Sequence, residues 1–193
     1  MNKFAVELTS PTSVDIAITK KCNHRCVHCY NVWRTDDENS DVHKVLTDEQ
    51  VERITNELVK NDVWRATLTG GEPLAELDVL YKLIISLNKH GIALGMNTNL
   101  SLMTDEIARR LTEELHWDNI LLTSLPGLVP EICDQVTQIP GSYYRIVRGI
   151  DICKKHNIPV GINIVISKKN LFELERLYDF VSNHKVDYVS ITR

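Results

Sequence analysis

The sequence has no surplus of positive charge: 22 Lys and Arg stand against 26 Asp and Glu, a formal charge of -4. A nucleic-acid binder needs a basic face to neutralise phosphates, so nucleic acid is not expected as a partner. It also lacks any run approaching the roughly 18 apolar residues of a membrane span. The opening MNKFAVELTSPTS has no apolar core of a signal peptide. No membrane partner is expected, and the expected location is cytoplasmic, where thiols stay reduced. The cysteine count is not even: five cysteines fit a metal site or free thiols better than a disulfide framework. There is no internal repeat, low-complexity tract or linker, and 193 residues suit one domain around one core.

Six segments read as strands: 13–19, 65–70, 92–99, 119–125, 159–167 and 187–192. They are rich in Val, Ile, Leu and Thr, and Gly, Asn or Pro usually bounds them. Apolar residues at helical spacing fill the gaps. Val51, Ile54 and Leu58 line one face of a helix from Thr47, and Thr47 with Gln50 makes a capping box. Further helices read over 74–90, stopped by Gly91; from Thr104; over 142–157, closed by Pro159; and from Asn170. Asn170 and Glu173 suit a second cap. EICDQV (131–136) reads as helix or loop.

Alternating strands and helices imply right-handed βαβ units and a parallel sheet. Six strands are too few for the eight-stranded barrel. The expected fold class is α/β, an incomplete (β/α)6 barrel, with a doubly wound open sheet as the alternative. From residue 65, strand starts advance by 27, 27, 40 and 28 residues, whereas the first interval is 52. The excess holds a cysteine-bearing stretch and the run NVWRTDDENSD, whose Asp36, Asp37, Glu38 and Asp41 read as a solvated loop. DYVSITR reads as a closing strand, and the expectation is the core of something longer rather than a bare sheet edge.

CNHRCVHCY (22–30) leaves the C-terminal end of the first strand, the end that carries chemistry in barrels and doubly wound sheets. Cys22, Cys26 and Cys29 are spaced C-x3-C-x2-C and can converge on one metal centre. Zinc would want a fourth ligand, for which His24, His28 and His43 are candidates. An iron–sulfur cubane is usually held by four cysteines. Cys153 shares a helix side with Ile146 and Ile150, and Cys133 lies in EICDQV; both read as buried or neutral thiols. A cubane with three protein ligands leaves one iron open, the mark of a catalytic centre. GGEP (70–73), NTN (97–99) and TSLPG (123–127) close the next three strands. Four polar or glycine-rich patches thus fall at one end of successive strands, which marks a ligand site.

C-x3-C-x2-C with a downstream GGEP resembles the radical S-adenosylmethionine (radical SAM) enzymes, over nearly the whole chain from Ser13 to Arg193. DQVTQIPGSYYRIVRGI and GINIVISKKNL resemble the peptide- and protein-modifying branch, whose members carry a SPASM or twitch extension after the barrel. The resemblance implies a core domain over 1–193, with a lead-in over 1–12 and a cluster-binding loop over 22–46. It implies that Cys22, Cys26 and Cys29 bind a 4Fe–4S cluster, whose fourth iron is chelated by S-adenosylmethionine. An electron from the reduced cluster then breaks the sulfonium C–S bond, and a 5′-deoxyadenosyl radical takes a hydrogen atom from the substrate. An external donor such as a flavodoxin or ferredoxin is implied as the electron source. No side chain is implied as catalytic, the chemistry being carried by the cofactors.

The resemblance also implies roles for single residues. Lys20, Lys21 and Arg25 offset the cluster's negative charge, or form a solvated basic turn. His28 stands where the family has an aromatic ring beside the adenine. Tyr30 follows the last cysteine, or packs under the loop. Gly70 and Gly71 let the backbone approach a ligand. Glu72 accepts from the ligand's ammonium group, and Pro73 fixes the turn into the next helix. Asn97, Asn99 and Ser124 suit the ribose or the methionine carboxylate, or are turn residues. Arg145 pairs with that carboxylate, or lies on the surface. Asn163 interrupts GINIVI and needs a partner, for which the ribose is a candidate.

Leu100 stands where the family often has Gly, which reads as harmless. Pro126 stands where Asp is common, so a ribose role for that loop rests on Ser124. With no cysteine-rich segment after the barrel and about a dozen residues before the first strand, neither auxiliary clusters nor a leader-peptide domain is expected. The expected activity is radical modification of a peptide or protein side chain. The alternatives are a small-molecule substrate in cofactor biosynthesis, a zinc-stabilised binding module, or an inert barrel fragment.

Overall fold

A computed structural model gives the fold and describes residues 10–30, 45–117 and 119–192. The acidic run 36–41, His43 and most of the expected cluster loop beyond Tyr30 lie outside the described residues. Six strands form one parallel sheet: β1 (Ser13–Ala17), β2 (Arg65–Thr69), β3 (Ala93–Asn97), β4 (Leu121–Ser124), β5 (Val160–Val165) and β6 (Tyr188–Thr192). Their spatial order is the sequence order. A doubly wound sheet reverses its order at a switch point. This sheet does not, which removes that alternative. β1 and β6 are its two edges, so the sheet curls as a partial barrel without closing.

The helices are α1 (Asp48–Lys60), α2 (Leu77–Lys89), α3 (Asp105–Arg109), α4 (Pro130–Thr137), α5 (Ser142–Lys155) and α6 (Leu177–His184). The capping box at α1 forms as the sequence implies: Gln50 N donates to Thr47 Oγ1 and Thr47 N to Gln50 Oε1. The expected 142–157 helix is α5, and α4 resolves the helix-or-loop reading of EICDQV. α4 also accounts for the long interval between β4 and β5.

The second capping box does not form. Asn170 Nδ2 donates to the carbonyls of Pro126 and Val165, and Glu173 Oε2 accepts from Leu128 N. Both side chains are buried and hold down the loop after β4, so the turn Leu171–Arg176 tightens to a 3-10 helix.

Alternation along each strand divides the sheet into two faces. Ala66, Leu68, Leu94, Leu121, Ile162 and Ile164 are buried in the core, which α2 joins with Leu80, Leu83, Ile84 and Leu87 and α5 with Ile146 and Ile150. Each such Leu or Ile contributes about 1.5–3 kcal/mol of burial. The other face carries Thr67 beside Gly95, Asn97 beside Leu122, and Ser124 beside Asn163. That polar, concave face leads to the C-terminal ends of the strands. Among the described residues no helix is long and apolar enough to cross a membrane.

Candidate active site

A cavity of about 390 Å³ opens where β1 to β5 end. Cys22, Cys26, Cys29, His28 and Tyr30 form one wall, Gly70 to Glu72 a second, and Asn97, Asn99, Ser124 and Asn163 a third. Of the fourteen residues that the resemblance assigns as cluster ligands or cofactor-binding positions, twelve therefore share one space. The other two, Pro73 and Arg145, do not line it. Pro73 is buried and starts a 3-10 turn, Pro73–Ala75, as the turn role requires. Arg145 is exposed and donates to the Pro140 carbonyl at 3.0 Å. From the first turn of α5 its charge acts on His24 of the cavity wall. Tyr30 is 71% exposed, so it does not pack under the loop.

The cysteine loop is anchored by backbone on two sides. Past β1, Ile18 N pairs with Thr69 O, Gly71 N donates to Thr19 O at 2.7 Å, and Glu72 N to Lys21 O at 2.8 Å. On the far side, Arg25 N and Val27 N donate to Thr137 O and Val136 O, each at 2.9 Å. These are carbonyls of α4's last turn, which lack intrahelical partners. The extra helix thus receives the middle of the C-x3-C-x2-C stretch.

The glycines serve this packing. A Cβ on Gly70 would lie 2.3 Å from Thr19 O, and one on Gly71 would lie 2.1 Å from Lys21 O. Gly70 also has φ +138°, a conformation side chains resist. The close approach expected towards a ligand is made first to the cysteine loop. Glu72 likewise serves the fold. Its side chain is 1% exposed, and its carboxylate accepts from Leu74 N, Thr98 Oγ1 and Asn99 N at 3.0, 2.5 and 2.7 Å. Burial raises its pKa, against those three donors. The carboxylate fastens the β3 exit to the β2 exit while still lining the cavity.

Asn99 is also engaged by protein. Its Nδ2 donates to Asn23 Oδ1 at 2.9 Å, Asn23 Nδ2 to Ser101 Oγ at 2.8 Å, and Ser101 Oγ back to Asn99 Oδ1 at 2.6 Å. Leu100, between them, has φ +57° and is fully buried. The family's frequent Gly at this position is explained by that left-handed backbone, so Leu here is a strained substitute rather than a harmless one. Asn163 Oδ1 accepts from Thr192 Oγ1 at 3.4 Å, which supplies a protein partner.

His24 belongs to the cavity wall although only its ligand potential is legible in sequence. Burial, and then the nearby Arg145 charge, push its pKa down to about 4, so the ring is neutral. Thr98 and Thr137 also line the cavity. Thr98 belongs to the strand-end motif NTN, but nothing local marks Thr137, because α4 docks there from a distance.

None of the five cysteines is joined in a disulfide. Burial pushes Cys133 up to about 11 and Cys153 up to about 12, as buried, protonated thiols should be. Among the described residues no three His, Cys, Asp or Glu side chains stand close enough to share one ion. A Cys3His zinc site, which needs four donors around a single centre, is therefore not formed with His24 or His28. A cubane spreads its thiolates over separate irons. Cys22, Cys26 and Cys29 share one wall of the cavity, the arrangement that a cubane with one iron unligated by protein would need.

Residues 16–181 match the family model of the radical SAM superfamily. The chain belongs to the radical SAM superfamily. The cofactors of this family are a 4Fe–4S cluster and S-adenosylmethionine. Among curated proteins, the radical SAM chain is 28% identical over 170 residues to an AdoMet-dependent heme synthase of Methanosarcina barkeri, covering 88% of this chain and 47% of the relative. It is 29% identical over 158 residues to a probable GTP 3′,8-cyclase of Thermococcus kodakarensis, covering 81% and 48%. It thus spans about half the length of these relatives. In fold it is similar to Streptococcus suis SuiB bound to S-adenosylmethionine, with TM-score 0.74, 20% identity, and coverage of 95% of this chain and 39% of SuiB. SuiB has also been solved with its precursor peptide SuiA.

Proposed function

We propose that this radical SAM core cleaves S-adenosylmethionine reductively and directs hydrogen abstraction to a peptide or protein side chain. The observation that carries it is the shared cavity: Cys22, Cys26 and Cys29, the Gly70–Gly71 exit and the polar ends of β3, β4 and β5 line one space. Cys22, Cys26 and Cys29 would hold the cluster. When bound, cluster and S-adenosylmethionine together supply the 5′-deoxyadenosyl radical. The chain's own part is placement. The neutral His24 and the exposed His28 and Tyr30 offer flat faces around the thiols. Asn97, Ser124 and Asn163 offer short donors and acceptors to a ribose or carboxylate. An external flavodoxin or ferredoxin would deliver the electron.

The peptide reading has a structural relative behind it. SuiB, similar in fold, binds a precursor peptide. A small-molecule reading has its own support. A second cavity of about 450 Å³, lined by Arg65, Thr67, Asn97 and Tyr188 among others, lies below the first and shares Asn97 and Leu122 with it. That is the size of ordinary ligand sites, and the curated relatives are named for heme and GTP chemistry.

Anaerobic reconstitution with iron and sulfide, then addition of S-adenosylmethionine and dithionite, tests the chemistry. A brown protein forming 5′-deoxyadenosine is expected, and a colourless one forming none would overturn it. A peptide encoded beside the gene should then stimulate cleavage and change in mass. Stimulation by GTP or a porphyrin instead would favour the second reading.

A further inference from the structure

Asn23 lies between the first two cysteines of the loop and does not line the cavity, yet it joins the loop to a residue that does. The ring Asn99 to Asn23 to Ser101 to Asn99 is closed and runs in one direction, each side chain donating to the next. Each Asn uses both its amide nitrogen and its oxygen in it, so neither amide can be turned over without breaking two bonds. Ser101 N adds a second donor to Asn99 Oδ1 at 2.9 Å.

The ring is also fixed from below. Asn99 N is held by the buried Glu72 carboxylate, whose own backbone N–H holds Lys21, the residue before Cys22. Leu100 takes its left-handed conformation over Gly149 of α5, where a Cβ would come within 2.2 Å of Leu100 O. Strain of this kind persists only where surrounding structure imposes it, and it gathers at functional sites. Here it turns Asn99 and Ser101 together towards Asn23.

We propose that Asn23 and Ser101 are positioning residues that hold the cysteine loop in register with the Asn99 wall of the S-adenosylmethionine cavity. This rests on the function proposed above. Without the ring, the thiols still ligate the cluster, but two loops must be ordered when S-adenosylmethionine binds between them. That ordering weakens binding without removing a contact to the ligand.

The test compares wild type, Asn23→Ala, Ser101→Ala and the double variant, all reconstituted with cluster. Iron and sulfide content and the electron paramagnetic resonance spectrum of the reduced protein without S-adenosylmethionine are expected to match wild type, and the thermal midpoint to fall by only about 2–6 °C. The dissociation constant for S-adenosylmethionine, read from its effect on that spectrum, is expected to rise about tenfold in each single variant, the size of one to two neutral hydrogen bonds. KM should rise in step while kcat holds. The double variant should be no worse than either single one, since one ring is broken once. Affinity equal to wild type, additive losses, or cluster content falling in parallel with affinity would overturn the proposal while leaving the function intact. A wild type that takes up neither cluster nor S-adenosylmethionine overturns the function itself, and this inference with it.

Discussion

Leu100 sits in the left-handed region with its carbonyl directly over Gly149, at a place where even a methyl group on α5 would come within 2.2 Å of that oxygen. A helix interior ordinarily disfavours Gly by about 1 kcal/mol relative to Ala. At this position the order reverses, because the contact is with backbone that cannot rotate away. Gly149→Ala should destabilise the protein by about 1–3 kcal/mol, as overpacking does, measured by urea unfolding. Leu100→Gly should relieve about 1 kcal/mol of backbone strain but empty a fully buried site, at about 2–5 kcal/mol. A net loss is expected.

Gly71→Ala makes a sharper case. The added Cβ would stand 2.1 Å from Lys21 O and 2.7 Å from Lys20 O, both backbone atoms. The cysteine loop must then lift from the β2 exit. Both stability and iron uptake should fall. Gly91→Ala is a control, since nothing lies within 4 Å of a Cβ there. Its φ of +71° makes it strained but leaves the site alone, so stability should fall while iron uptake stays.

Asp134 joins α4 to α5. Its carboxylate accepts from Ser142 Oγ and Tyr143 N at 2.8 and 3.0 Å, and also from Gly141 N. Burial works to raise its pKa, but these hydrogen bonds outweigh it and the net shift is downward from 3.8. A carboxyl with a depressed folded pKa contributes stability above its unfolded pKa and loses it as pH falls through the folded one. Asp134→Asn should cost about 0.5–2 kcal/mol near neutrality, as loss of a helix-start acceptor does. Thermal melts should show the gap from wild type closing below pH 3.8. A gap that stays constant with pH would contradict the electrostatic origin.

The strands, the fold class and the three thiols were legible because their signals are local: alternation, apolar spacing and a cysteine pattern. What the partners of Glu72, Asn170 and Glu173 would be was not. From sequence each reads as serving a ligand-facing turn or a cap, whereas each bonds a backbone group 27 to 45 positions away. The docking role of α4 is hidden for the same reason, since it consists of two hydrogen bonds to a loop more than a hundred residues earlier. Leu100 carries a further lesson. A departure from a family's Gly is informative when the backbone there has positive φ.

The thiols divide into two classes. With Cys133 held near 11 and Cys153 near 12, neither is a thiolate at pH 8. Brief iodoacetamide treatment of the cluster-free protein should label Cys22, Cys26 and Cys29 and spare the other two. Mass spectrometry of the peptides reads the outcome directly.

The most direct measurement is metal and sulfide content after anaerobic reconstitution of wild type, Cys26→Ala, Cys133→Ala and Cys153→Ala. Wild type and the two buried-cysteine variants should bind iron and acid-labile sulfide in equal amounts, and Cys26→Ala should lose both. Iron retained in Cys26→Ala, or a single zinc and no sulfide in wild type, would contradict a cluster held by Cys22, Cys26 and Cys29.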